Sequence, residues 1–319
     1  MVFTASIRDH VLHLDIKFNT LQFKLESIEA LLDGIDQSLH KLDEVIDSKT
    51  DESELCLPLN SVSSDNAPVI LFAPVEGNLN DYKHLVTAIG EERSVWGVLS
   101  PHAVAAVDDF YSIEEMAAQQ IRSVAKKIDP TSTLVLVGWS MGGILATEFA
   151  RFWTGSVRLV LLDSNPYPPK LENNPYSLDR LMRLCHTMKI DTKALIDARV
   201  DYAQGKQSLE NIHSVALKLK LIDERIQLEA LDGQLQLIHK NFVSASRYSP
   251  GLYSEEVLML RATQTLETSD EGSILHQEGF VSLYPQCNWV EVDSNHFEMV
   301  NEKHASKIAD QIKQYISNI

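Results

Sequence analysis

Ser140 lies in Gly138-Trp-Ser-Met-Gly142, directly after the apolar run Leu134-Val-Leu-Val and directly before a helix-forming stretch. In a strand–turn–helix context Gly-x-Ser-x-Gly is a nucleophile elbow. A sharp, strained turn there lifts Oγ above the carboxyl edge of a sheet. Side chains at Gly138 and Gly142 would collide where strand and helix cross. The helix beginning near Met141 aims free N–H groups at the reacting centre. The bland alternative is a small-residue turn in an α/β protein. Asp163 ends the next apolar run, Val157-Arg-Leu-Val-Leu-Leu, 23 residues past Ser140. It falls on the edge where active sites of such sheets lie and suits the acid that orients an imidazole; its alternative role is loop capping. Of 11 histidines, His296 sits in the loop after the last strand-like run, Asn288-Trp-Val-Glu-Val, completing the order Ser, acid, His. His276, before that run, and His304, in the closing helix, read as surface residues.

These side chains need elements to hold them. Val69-Ile-Leu-Phe reads as a short buried strand leading into Ala73-Pro-Val-Glu-Gly-Asn78, where the second oxyanion donor of such sites is placed. The donor is expected to be the Val75 N–H, partnered by the Met141 N–H; an ordinary strand–helix turn is the alternative. A helix over 81–89, a strand over 94–98 and a helix opening at the capping box Ser112-Ile-Glu-Glu115 follow. Alternating strands and helices predict a mainly parallel sheet covered on both faces. The sheet resumes at Val257-Leu-Met-Leu-Arg-Ala, and a helix over 301–316 closes the domain.

Residues 164–254 break that rhythm with helical patterns, among them Leu178 to Leu184 and Ile212 to Leu231, and predict a lid over the catalytic edge. The segment carries 12 Lys/Arg against 10 Asp/Glu inside a strongly acidic chain. It reads as a solvated helical face or as a docking surface for an acidic partner.

From Ile7 to Ile46 apolar residues recur in alternating steps of four and three, a heptad seam over more than five repeats. Residues 1–50 are therefore expected to form a helical, coiled-coil-like element. It would either make a homodimer through residues 7–46 or lie as an amphipathic helix or hairpin on the rest of the chain. Lys24 and Glu29 fall where parallel helices pair charges, while Asp33-Gly34 suits a turn. Residues 51–67 read as a polar linker, with 55–59 touching another element, and 68–319 as the α/β domain.

A chain of 319 residues can bury a large core. No window approaches the roughly 18 apolar residues a membrane span needs. The first residues lack the pattern of a signal peptide, and a cytoplasmic location is expected. Cys56, Cys185 and Cys287 show no metal-ligand spacing and read as reduced thiols. A net charge of −17 disfavours nucleic acid or an anionic membrane as partner.

Gly138-Trp-Ser-Met-Gly-Gly143, Leu161-Leu-Asp-Ser164 and Asn295-His-Phe-Glu-Met-Val300 together resemble the thioesterase domains that end polyketide synthases, non-ribosomal peptide synthetases and animal fatty acid synthase. The resemblance runs from about Pro68 to Ile319. Ala73 stands where that family often has His before the proline of its oxyanion loop. The resemblance implies an α/β-hydrolase fold with a helical lid insertion and a Ser140–Asp163–His296 triad. Val75 and Met141 would be the oxyanion donors, and Glu76 and Trp139 are candidate substrate contacts. It implies an acyl, polyketide or peptide chain delivered as a thioester on the 4′-phosphopantetheine of a carrier protein, with no bound cofactor and no metal. Release would be by hydrolysis or macrocyclisation. An acid directly after the strand that follows the elbow resembles the product-releasing domains. Stand-alone editing enzymes more often take it from the following strand, where Glu267 or Asp270 would serve. A general esterase, and an inert docking protein whose N-terminal helix matters, are the remaining alternatives. Amphipathic helices at synthase-subunit ends often dock one polypeptide onto another, and residues 7–46 would suit that use.

Overall fold

Apolar residues at both parities of Leu134–Val137 demand a strand covered on two faces, and the computed structural model places it at the centre of the sheet. The structure describes residues 2–8, 11–17, 24, 27–33, 54–104, 110–166, 173–264 and 280–317. The chain divides into two compact units, residues 1–52 and 53–319.

In the first unit, β1 (Val2–Arg8) and β2 (Val11–Lys17) pair antiparallel, with Phe3 opposite Ile16, Ala5 opposite Leu14 and Ile7 opposite Leu12. The expected heptad helix therefore does not extend over 7–17. Phe3, Ala5, Ile7 and Leu12, Leu14, Ile16 also alternate with period two, and β-branched residues favour the ribbon. Residues 27–33 are helical (α1), with Ile28 buried and Leu32 half-buried. Gly34 and the rest of the heptad run to Ile46 lie outside the described residues, and with them the choice between one helix and a hairpin.

In the second unit seven strands form one sheet. They are β3 (Cys56–Pro58), β4 (Val69–Phe72), β5 (Val95–Val98), β6 (Leu134–Trp139), β7 (Val157–Leu162), β8 (Val257–Gln264) and β9 (Cys287–Asn295). Their spatial order is β3-β5-β4-β6-β7-β8-β9, all parallel except β3, which runs antiparallel along the edge. The expected linker over 51–67 is thus shorter. Cys56–Pro58 joins the sheet, Leu99 N–H and Leu59 N–H donate to Leu55 O and Val95 O, and Ser123 Oγ accepts from the N–H groups of Leu55 and Cys56. A three-residue strand between turn formers is too short for periodicity to reveal, and its Pro58 suits an edge.

Helices α2 (Lys83–Ile89) and α9 (Glu302–Tyr315) cover one face, and α3 (Ile113–Ala125) and α4 (Met141–Phe152) the other. Leu134 and Leu136 enter the layer with Met116, Leu145 and Phe149; Val135, Val137 and Trp139 enter the layer with Leu85, Ile308 and Ile312. His304, expected at the surface, is buried, because it shares a helix face with Ile308 and Ile312 at spacings of four. His276 lies outside the described residues.

Between β7 and β8 the chain forms a helical insertion with its own apolar cluster. It holds α5 (Leu178–Thr187), α6 (Thr192–Asp197), α7 (Lys206–Lys218) and α8 (Leu228–Arg247). The helical run expected over 212–231 is two helices, broken at Lys220, whose φ is 57°. The Asp223–Arg225 turn then redirects the chain: Asp223 Oδ1 accepts from Arg225 N–H at 2.9 Å. No helix among the described residues is long and apolar enough to cross a membrane.

The capping box expected at Ser112 is present: Glu115 N–H donates to Ser112 Oγ and Ser112 N–H donates to Glu115 Oε2. Ser112→Ala should cost about 1 kcal/mol, read as a lower urea midpoint with an unchanged slope.

Candidate active site

Close crossing of β6 and α4 builds the elbow. A Cβ at Gly138 would lie 2.3 Å from Gly142 O, and one at Gly142 would lie 2.4 Å from Phe72 O. The chain turns between them at Ser140, with φ 56° and ψ −127°, a region that costs a side-chain-bearing residue about 1–3 kcal/mol. Ser140 N–H continues the sheet ladder to Leu162 O at 3.1 Å, and Ser140 O accepts from Gly143 N–H at 3.1 Å. These bonds hold the strained residue at the sheet's carboxyl edge.

The acid and the imidazole meet at the same edge. His296 Nδ1 donates to Asp163 Oδ2 at 2.7 Å, and Asp163 Oδ1 accepts from Ala262 N–H at 3.1 Å. An ionised carboxylate only accepts, so neutral His296 carries its proton on Nδ1 and presents a lone pair at Nε2. Asp163 itself has φ 44°, and its N–H donates to Leu260 O at 2.8 Å. The pair is thus anchored to β8 through both the side chain and the backbone of Asp163. No hydrogen bond joins Ser140 Oγ to His296 Nε2 in this structure; in resting enzymes that bond is often long and tightens with substrate.

Trp139 ties the elbow to the imidazole. Its indole Nε1 donates to His296 O at 3.1 Å, and the two rings lie 5.5 Å apart. Expected as a substrate contact, Trp139 is only 1% exposed, so its side chain serves the His296 turn instead of an open surface. A residue with no local sequence signal, Tyr82, completes the frame. Its buried hydroxyl donates to Phe72 O and accepts from Trp139 N–H, both at 2.9 Å. One side chain therefore joins the end of β4 to the end of β6.

After β4, the loop accounts for its donors almost completely. Ala73 N–H donates to Val98 O and Gly77 N–H donates to Pro74 O, while the Glu76 N–H favours the ionised form of its own carboxyl. Pro74 has no N–H, which leaves the Val75 N–H without an acceptor among the described residues. Met141 N–H, at the first position of α4, is likewise without one. Free donors are costly to bury, and these two N–H groups at the edge that carries Ser140 could each serve an incoming acceptor.

Glu76 is 2% exposed. Burial pushes its carboxyl above the usual carboxylate range, while Arg183 and the His296 imidazole pull the other way. Arg183 comes from the insertion and lies over the rings of Phe242 and Phe297. His186, one helical turn on, packs its ring 4.6 Å from Phe297. Burial first, and Lys189 second, hold the His186 imidazole below its ordinary pKa. Lys189 also bridges to Asp81 at 2.8 Å. The insertion thus reaches the residues that flank His296. Glu267 and Asp270, the alternative acids, lie outside the described residues. Among the described residues no cluster of His, Cys, Asp and Glu could hold a metal ion.

Residues 67–156 match the family described as the thioesterase domain. That span contains Val75, Ser140 and Met141 but stops short of Asp163 and His296. Over 263 residues, 80% of this chain, the sequence is 23% identical to a dimodular nonribosomal peptide synthase of Bacillus subtilis (strain 168), of whose length it spans 10%. The fold resembles the four-domain nonribosomal peptide synthetase AB3403, with a TM-score of 0.67 at 20% identity, over 86% of this chain and 21% of that one. It also resembles the NocB thioesterase domain in covalent complex with a fluorophosphonate nocardicin G analogue. There the TM-score is 0.54 at 21% identity, over 82% of this chain and 98% of that one. The resemblance to synthase thioesterase domains therefore holds, in sequence over 67–156 and in fold over most of the chain.

Two outcomes follow from this geometry. Tyr82→Phe leaves Phe72 O and Trp139 N–H unpartnered in the core, and should lower stability by about 2 kcal/mol or more in urea unfolding. Glu76, an acid with a raised folded pKa, contributes stability that is complete below its unfolded value of 4.5 and lost as pH rises through the folded value. In Glu76→Gln the difference between urea midpoints at about pH 4 and about pH 8 should be smaller than in the wild type.

Proposed function

We propose that this chain is a serine thioesterase that releases an acyl, polyketide or peptide chain from the phosphopantetheine thioester of a carrier protein. The observation that carries the reading is the Asp163–His296 pair, set at the same sheet edge as a strained Ser140 that belongs to a thioesterase-domain match.

His296 Nε2 takes the hydroxyl proton of Ser140 as Oγ attacks the thioester carbonyl. The N–H groups of Val75 and Met141 hold the oxyanion. Collapse breaks the C–S bond; the imidazolium returns its proton to the departing thiol, and an acyl-Ser140 ester remains. Asp163 stays ionised throughout, fixing the Nδ1–H tautomer and stabilising the imidazolium. Water, or a hydroxyl or amine of the chain itself, then attacks with His296 as base, giving an acid or a ring. The helical insertion acts as the lid, and its exclusion of water governs which of the two forms. Arg183, half-buried beside Phe297, is the polar group placed to meet an acyl chain, and the buried carboxyl of Glu76 interacts with it from beneath.

An acid directly after β7, bonded to the imidazole, favours a product-releasing enzyme over a stand-alone editing thioesterase or a general esterase. A catalytically inert docking protein would have no need of the strained serine.

Intact-mass spectrometry with an acyl-loaded carrier protein tests the proposal. Wild type should strip the carrier or show an acyl adduct, Ser140→Ala should do neither, and Asp163→Asn should be slower by about 10⁴-fold. Transfer that persists in Ser140→Ala would sink the mechanism. Cleavage of simple esters without any carrier thioester would point to a general esterase.

A further inference from the structure

Three consecutive carbonyls of the loop after β4 each accept a hydrogen bond from outside it. Val75 O accepts from Asn241 Nδ2 at 2.8 Å, Glu76 O from Gln234 Nε2 at 2.9 Å, and Gly77 O from Ser100 N–H at 3.3 Å. Asn241 and Gln234 both stand on α8, seven residues apart and so on one helix face. Leu237, between them, reaches Gly77 closely enough to leave a Cβ there only 2.9 Å of room. One face of the insertion's longest helix is laid along the loop.

The Asn241 amide has one orientation. It is fully buried, and its Oδ1 accepts from Ser100 Oγ and from His102 Nδ1, both at 2.9 Å. The His102 tautomer is fixed in turn, because its Nε2 accepts from Tyr111 N–H at 2.9 Å, which puts the ring proton on Nδ1. With Oδ1 committed to two donors, Nδ2 must face Val75 O. The buried network runs from the residues after β5, through the start of α3, to α8, and ends on the loop carbonyl.

Within the loop, Pro74 O accepts from Gly77 N–H. Pro74 O and Val75 N–H belong to one planar trans peptide, so fixing the oxygen fixes the direction of the N–H on the opposite side. Holding Val75 O and Glu76 O then locks the adjoining peptides, and the Val75 N–H cannot swing away.

We propose that α8 is a working part of the oxyanion hole: Asn241 and Gln234 are positioning residues that keep the Val75 N–H in its donating direction. The inference rests on the oxyanion role given to Val75 above. Its consequence is that the insertion does more than cover the site. A displacement of α8 changes the rate of the covalent step itself.

The test uses the full chain and an alkyl fluorophosphonate. In that reaction a bond forms between Ser140 Oγ and phosphorus, the P–F bond breaks, fluoride leaves and His296 takes the serine proton. Asn241→Asp keeps the shape and the acceptors for Ser100 and His102 but loses the donor to Val75 O. Gln234→Glu does the same to Glu76 O from a half-buried position. The saturating rate of phosphonylation should fall about 10- to 100-fold in Asn241→Asp and about 3- to 10-fold in Gln234→Glu. The half-saturating concentration should stay within about twofold, a split that general loosening of the fold would not produce. If Asn241→Asp does not fold, Gln234→Glu decides alone by the same criteria. Wild-type rates in the folded variants, or a change confined to half-saturation, overturn the role of α8 while leaving Ser140 as nucleophile. A wild type that is not labelled, or is labelled equally in Ser140→Ala, overturns the nucleophile reading and this inference with it.

Discussion

A strand and a helix can cross as closely as β6 and α4 do only where no Cβ intervenes, and everything at the sheet edge depends on that approach. Gly138 permits it, Gly142 lets α4 pass the end of β4, and Ser140 absorbs the resulting turn in a backbone conformation that side-chain-bearing residues avoid. Alone, such a residue would relax. It is held because its N–H is part of the ladder to Leu162, its carbonyl accepts from Gly143, and its neighbour Trp139 is gripped at backbone and indole by Tyr82 and His296. The strain is over-determined by ordinary hydrogen bonds, each worth about 1 kcal/mol.

The same economy of donors organises the second half of the site. A loop of five residues after β4 spends its N–H groups internally or on the sheet and leaves one unused, at Val75. Three of its carbonyls are held from outside, two of them by α8. A short loop with no regular structure is thereby as fixed as the strand that feeds it. The cost appears within it, at Glu76, whose carboxyl is buried near Arg183 and His296 and is driven toward its neutral form. Raised carboxyl pKa values of this kind gather at functional sites, because the same burial that excludes water strengthens every remaining charge.

Much of this was readable from residue order. The Gly-x-Ser-x-Gly turn, the acid after the next strand, the histidine after the last strand and the capping box at Ser112 are local patterns with local causes, and the structure shows each in its expected element. Local reading failed where two periods fit one stretch. Ile7 to Lys17 satisfies a heptad and an alternation alike, and cross-strand pairing chose the ribbon. Residues 55–59, expected only to touch another element from within a linker, form the edge strand β3, paired with β5 and held by Ser123. His304 is buried although its residue type suits a surface, because docking of α9 carries its whole apolar face, His304 included, against the sheet.

By itself, then, the sequence determined the parallel α/β plan and pointed to Ser140, Asp163 and His296, which the structure sets at the carboxyl ends of β6, β7 and β9. These follow from local motifs and from the order in which strands, helices and motifs succeed one another along the chain. Tertiary structure alone decided which side chains hold those groups in place. Tyr82 lies 57 residues from the Trp139 N–H it accepts from, Asn241 lies 166 residues from the Val75 carbonyl it grips, and Asp163 meets His296 across 133 residues. A hydrogen bond is satisfied by distance in space, and no spacing along the chain encodes that distance until the sheet has brought its carboxyl ends together.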